Sequence, residues 1–99
     1  MHAHVNIWRL NEAGAATDDA VARQVAERLA GQPGFRSYTL VRTGEREVVA
    51  VTLFESAEEL EAAARAVAEL VEERVHPLAA GAPERRRGEV VFHLAAPRS

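Results

Sequence analysis

The sequence predicts an α+β fold, a four-stranded antiparallel sheet with two amphipathic helices packed on one of its faces. Three observations lead there. The run Val48 to Phe54 (VVAVTLF) is apolar on both sides of a strand, with Val48, Ala50 and Phe54 pointing one way and Val49, Val51 and Leu53 the other. Two other stretches repeat apolar residues at helical spacing. A short polar turn joins two extended runs as a hairpin. A half-wet antiparallel strand alternates apolar with polar residues, so VVAVTLF reads as covered from both sides. The helices cover one face of the sheet, and a second copy of the chain is expected over the other.

The elements follow in order. Residues 2–10 (HAHVNIWRL) form a first strand, with Val5 and Ile7 on one side and His4, Asn6 and Trp8 on the other. Asn11 to Ala16 is a connector of small residues. Thr17 is the expected N-cap of a first helix, and Asp18 and Asp19 suit its positive end. Val21, Val25 and Leu29, flanked by Ala22, Ala26 and Ala30, make its apolar stripe, and Gly31 ends it. Pro33-Gly34 turns the chain into a second strand, Phe35 to Arg42, and Thr43 to Arg46 leads back into the third. Ser56-Ala57-Glu58-Glu59 is a capping box opening a second helix. Its buried line is Leu60, Ala64, Val67, Val71 and Val75, and Pro77 ends it. Leu78 to Gly88 reads as a loop carrying Arg85-Arg86-Arg87, and Glu89 to Ala95 as the fourth strand. The order β-α-β-β-α-β with right-handed crossovers is the ferredoxin-like arrangement, in one domain spanning residues 1–99.

Composition removes several classes of function. There is no cysteine, hence no disulfide and no thiolate nucleophile or metal site. No signal peptide and no long apolar run is present, so a cytoplasmic protein without a membrane partner is expected. All 12 basic residues are arginine, which excludes a Schiff-base lysine. A net charge of −3, and aliphatic residues where stacking aromatics would be needed, argue against nucleic acid. A chain of this length buries only about 60–65% of its unfolded surface, and covering a spare sheet face with a partner raises that fraction.

Pro33-Gly34-Phe35, Leu40-Val41-Arg42, the hairpin and apolar strand, then Glu55-Ser56 with Glu59-Leu60 opening a helix, resemble the antibiotic-biosynthesis-monooxygenase-like proteins over about residues 4 to 94. The resemblance implies a homodimer in which two sheets face each other as a dimeric α+β barrel, helices outside, with a pocket in each subunit between sheet and helices. It further implies cofactor-independent oxygenation of a small aromatic, phenolic or quinol compound, with no cofactor and no metal. Some relatives degrade haem, using a strand-one asparagine together with a tryptophan and a histidine on the second helix. Asn6 matches the first of these, but the helix has Ala62-Ala63-Ala64 near the tryptophan position, and His76 falls about three residues beyond the histidine position. Haem degradation is therefore not the expected activity. Phe54 also stands where many relatives carry a tryptophan.

The residues themselves nominate a site. His4, Asn6 and Trp8 at i, i+2 and i+4 present an imidazole, an amide and an indole to one space. Oxygenation without a cofactor needs a base to deprotonate a phenol or enol, a donor for the anion that then reduces dioxygen, and a surface for a flat ring. Histidine suits the first task, asparagine the second, and tryptophan the third. The competing assignment makes Trp8 core, Asn6 a backbone cap and His4 an exposed strand end. His93 on the expected fourth strand is a second candidate base, and Tyr38 and Arg36 on the second strand are candidate substrate contacts. His2 and His4 lack partner ligands at diagnostic spacing, so no metal site is expected. The alternative to an enzyme is a non-catalytic ligand-binding or dimerisation module, which predicts alanine-filled space between helices and sheet rather than a cavity.

Overall fold

A computed structural model describes residues 1–97. Its elements are β1 (His2–Arg9), α1 (Glu12–Ala16), α2 (Ala20–Ala30), β2 (Phe35–Gly44), β3 (Glu47–Phe54), α3 (Ala57–Leu70) and β4 (Glu84–Glu89). The sheet runs β2-β3-β1-β4 with every neighbouring pair antiparallel, the ferredoxin-like arrangement expected from the sequence. VVAVTLF is an interior strand, paired with β1 from His2↔Phe54 to Arg9↔Glu47 and with β2 on its other edge.

The helices cover one face. Val25 and Leu29 of α2 meet Leu60, Ala63 and Val67 of α3 over Phe54, which is fully buried. Phe35 packs edge-on against Phe54, ring centroids 5.6 Å apart. The start of α3 is built as its sequence dictates. Ser56 Oγ accepts from the Glu59 N–H at 3.2 Å and donates to Glu59 Oε1 at 3.0 Å. That carboxylate lies against Gly34, which turns at φ +82° after Pro33 and whose carbonyl accepts from the Glu55 N–H at 2.8 Å.

Several expectations need correction. Residues 12–16 form a short helix, because the Asn11 side chain accepts from the Gly14 N–H at 2.8 Å and caps it. The first long helix begins at Ala20, not after Thr17; Asp18 Oδ1 accepts the Ala20 N–H at 2.9 Å. The hairpin turn is tighter than expected, with β2 extending to Gly44 and only Glu45 and Arg46 between the strands. The second helix does reach the vicinity of Val75, but its last turn, Val71–Val75, is a wider π-helical one that passes into a 3-10 turn, His76–Leu78. Pro77 has no N–H to give to the previous turn, and a proline ring conflicts with the carbonyl four residues before it, which disfavours regular α-winding here.

The largest correction concerns the fourth strand. It is Glu84–Glu89 (ERRRGE), not Glu89 to Ala95. Pairing with β1 runs from Ile7↔Glu84 to His2↔Glu89, with a last bond from the Val90 N–H to the Met1 carbonyl at 2.9 Å. Beyond that bond no further pairing follows among the described residues. Val91, Phe92 and Leu94 are accordingly 93%, 80% and 83% exposed in the single chain. A charged strand at a sheet edge is also a common natural arrangement, since charge there discourages unwanted pairing.

Candidate functional site

The side of the sheet under the helices carries His4, Asn6 and Trp8 from β1, Tyr38, Leu40 and Arg42 from β2, and Val48, Ala50 and Thr52 from β3. Together with the walls of α2, α3 and the 71–78 segment they line a cavity of about 300 Å³. Space exists because several of the facing residues are small. Ala50 lies directly across from Asn6, and Ala22, Ala64 and Ala68 face the sheet from the helices.

Within this cavity the first strand supplies two buried polar atoms without partners. His4 is 6% exposed, and neither its Nε2 nor the Oδ1 of Asn6 accepts or donates a hydrogen bond. Buried polar groups are almost always satisfied, and an orphan costs about 1–3 kcal/mol, so a pair of them on residues lining one cavity is unusual. Burial lowers the pKa of His4 below its ordinary 6.5, and the guanidiniums of Arg87 and Arg85 lower it further. The imidazole is thus neutral near pH 7 and free to accept a proton. Burial pushes the Tyr38 hydroxyl up from 10.0, so it remains a phenol and a donor.

Part of the cavity wall is an aromatic pair. Trp8 meets His76 edge-to-face, ring centroids 5.5 Å apart. His76 is held at this place because the 3-10 turn that it opens is tied to the connector after β1. Asn11 Nδ2 donates to the Pro77 carbonyl at 2.8 Å, and the Asn11 N–H to the Leu78 carbonyl at 3.0 Å. Glu72 stands 3.5 Å from His76 Nε2.

The structure therefore gathers His4, Asn6, Trp8 and Tyr38 around one space, and leaves Arg36 and His93 outside it. A bulge between Phe35 and Ser37 takes Arg36 out of alternation with Tyr38, and its Nη1 pairs with Glu55 Oε1 at 2.7 Å on the surface. His93 lies beyond the end of β4 and is exposed, so it stands apart from the cavity. Beyond the residues nominated from the sequence, His76, Thr52, Arg42 and Arg85 also line the cavity. Thr52 and Arg42 share the period of Ala50 and Leu40, a signal present in the strands. Arg85 was hidden by the misplaced fourth strand, and His76 by a helix winding that only Pro77 hinted at. Among the described residues no group of three or more histidines and carboxylates is placed to hold a metal ion. Nor is any helix among them long and apolar enough to cross a membrane.

The profile of the antibiotic biosynthesis monooxygenase family matches residues 1–68, and the chain belongs to that family. Among solved structures it is similar to SnoaB, a cofactor-independent oxygenase from Streptomyces nogalater solved as its N63A mutant. The two share 20% identity with a TM-score of 0.80, over 96% of this chain and 97% of that one. It is similar also to the NE2512 protein of unknown function from Nitrosomonas europaea (10% identity, TM-score 0.83, 98% and 95% covered) and to Rv0793 from Mycobacterium tuberculosis (13%, 0.79, 95% and 98%). At these identities the likeness speaks for the fold. No curated protein matches the chain.

Proposed function

We propose that the protein is a cofactor-independent monooxygenase-like enzyme acting on a small aromatic, phenolic or quinol compound. The observation that carries this reading is the cavity of about 300 Å³ whose lining includes His4 and Asn6, two residues with a buried polar atom (Nε2 and Oδ1) that has no partner. Such a volume is at the lower end of small-molecule sites, and an apolar lining with a few converging polar groups is their usual character. A non-catalytic module with alanine-filled space between helices and sheet would have no such cavity.

In this reading His4, neutral and desolvated, takes a proton from a ring hydroxyl or enol. Asn6 accepts from the hydroxyl through Oδ1 and, after rotation of its amide, donates through Nδ2 to the anion that forms. Trp8 supplies a flat wall for the ring, and Tyr38 a phenolic donor on the neighbouring wall. The anion then reduces dioxygen. For a ring methylene oxidised to a carbonyl, one oxygen atom stays on carbon and the other leaves as water with the two methylene hydrogens.

A homodimer is part of the same proposal. Val5 and Ile7 of β1 and Val49, Val51 and Leu53 of β3 point away from the helices and are only partly buried in the single chain. The exposed Val91, Phe92 and Leu94 just past β4 add to this uncovered apolar surface. A second copy packed sheet to sheet would cover it.

The test is oxygen uptake against a panel of hydroxyquinones and phenols, with haemin titration alongside. Uptake coupled to loss of one substrate and abolished by His4→Ala supports the enzyme; no uptake with any compound, despite saturable binding of aromatic ligands, leaves a binding module in its place.

A further inference from the structure

The three consecutive arginines of β4 do not act as one patch. Side chains alternate along a strand, and the pairing with β1 is explicit: Arg87 lies opposite His4, Arg86 opposite Val5 and Arg85 opposite Asn6. Residues directly opposite on antiparallel strands share a face. Arg85 and Arg87 therefore stand on the cavity side beside the two orphaned polar groups, while Arg86 is on the outer face with Val5. Arg85 lines the cavity itself. Among the described residues none of the three arginines forms an ion pair; the Nη1 of Arg86 merely donates to the Arg85 carbonyl at 2.9 Å. Acidic residues at the cavity are engaged on the helical side. Asp18 Oδ1 accepts from the Ala20 N–H, and Glu72 faces His76.

We infer that the pocket takes an aromatic ligand bearing a carboxylate, held by Arg85 with Arg87 reinforcing the positive field beside it. This deepens the reading of the cavity as an aromatic-substrate site and rests on it. A guanidinium is a planar fork whose two parallel N–H groups match the two oxygens of a carboxylate. Asn6, next to Arg85 across the strands, faces the neighbouring part of the same ligand, and His4, next to Arg87, faces its ionisable hydroxyl. The carboxylate thereby fixes which end of the ring system reaches the base. The depressed basicity of His4 is the same field seen from the protein side, since both arginines disfavour a second positive charge there.

The alternation supplies its own control, because Arg85→Gln and Arg86→Gln remove the same charge one residue apart but on opposite faces. Binding of 6-hydroxy-2-naphthoate and of 2-naphthol, which differ only in the carboxylate, is to be measured by titration calorimetry on both variants and the wild type. The wild type should bind the naphthoate at least about ten-fold more tightly, the worth of a charge-assisted hydrogen bond. Arg85→Gln should reduce that preference to within about two-fold while leaving naphthol binding as it was, and Arg86→Gln should keep the preference. Equal affinity for the two ligands in the wild type overturns the carboxylate inference but leaves an aromatic site standing. So does equal loss of preference in both variants, which would mark a diffuse field. Binding of neither compound removes the aromatic site together with the inference.

Discussion

His4 on β1 and Arg87 on β4 lie directly across from each other, so the one buried imidazole of the cavity has a guanidinium as its cross-strand neighbour. On its other side stands Thr52, buried and uncharged. Burial and the two flanking arginines, Arg87 and Arg85, all act in the same direction and favour the neutral ring. A base in this setting should hold its activity as pH falls through the ordinary histidine range and lose it only below. Replacing Arg87 with Gln removes one repulsion, which raises the His4 pKa toward 6.5 and moves the acid limb of kcat/KM to higher pH. An NMR titration of the His4 ring should shift in the same direction. An unchanged His4 titration in the variant would show that the neighbour exerts no field.

The same shift has a consequence for stability. His4 titrates at about 6.5 in the unfolded chain and lower in the folded one, so between those values the unfolded state binds more protons. Folding stability contributed by this group is complete above pH 6.5 and declines as pH falls from there through the folded pKa. In His4→Gln that part of the acid destabilisation should be missing, a difference readable as the pH dependence of the urea midpoint. A midpoint that falls equally in both proteins would assign the acid sensitivity to other groups.

Asn6→Ala separates chemistry from architecture. The Oδ1 atom is buried without a partner, so removing it forfeits no hydrogen bond within the chain and relieves a desolvated group. Thermal stability should hold or rise slightly. Turnover of a phenolic substrate should nevertheless fall by about one to three orders of magnitude, the worth of a donor to a developing oxyanion. Equal rates in the two proteins would take Asn6 out of the mechanism.

Why these residues were legible while others were not follows from how each element is stabilised. VVAVTLF, apolar on both sides, and HAHVNIWRL, with Val5 and Ile7 opposite His4, Asn6 and Trp8, are both interior strands, with β1 and β3 each paired on two edges. Interior strands of this kind carry a strong residue pattern, and the shared face of His4, Asn6 and Trp8 could be read from it. An edge strand has no such requirement, and ERRRGE is held by backbone pairing to β1 alone. The more hydrophobic VVFHL next to it then attracted the strand assignment, along with His93. Arg36 was misplaced for a related reason. A bulge shifts alternation by one residue and leaves little trace in side-chain chemistry, so the parity of β2 could be read after Ser37 but not before it.

Gly34 tests the junction that sets the entry of α3. Its φ of +82° is costly for any residue with a Cβ, and that atom would sit 2.4 Å from the Glu59 carboxyl carbon. Glu59 would have to leave Ser56, loosening the capping box. Gly34→Ala should destabilise the fold by about 1–3 kcal/mol in urea unfolding, and Glu59→Ala, added to it, should cost less than the sum of the two single changes. Strict additivity would mean that the turn and the cap do not communicate.

Val51→Glu addresses the sheet face away from the helices. Val51 lies between Val5 and Thr39 on the side of the sheet away from the helices, at the middle of the apolar patch. If a second copy packs there, a carboxylate at its centre is desolvated without a partner and disfavours association by several kcal/mol. Sedimentation of the wild type should give twice the chain mass, and the variant should sediment as a single chain or fail to fold. Because an unfolded variant is ambiguous about the cause, Thr39→Glu on the exposed strand β2 serves as a milder charge on the same face. It should raise the dimer dissociation constant while preserving the circular-dichroism spectrum, and make the melting temperature depend more steeply on protein concentration. A wild type that sediments as one chain at micromolar concentration, or a Val51→Glu protein that remains a folded dimer, would place the partner surface elsewhere.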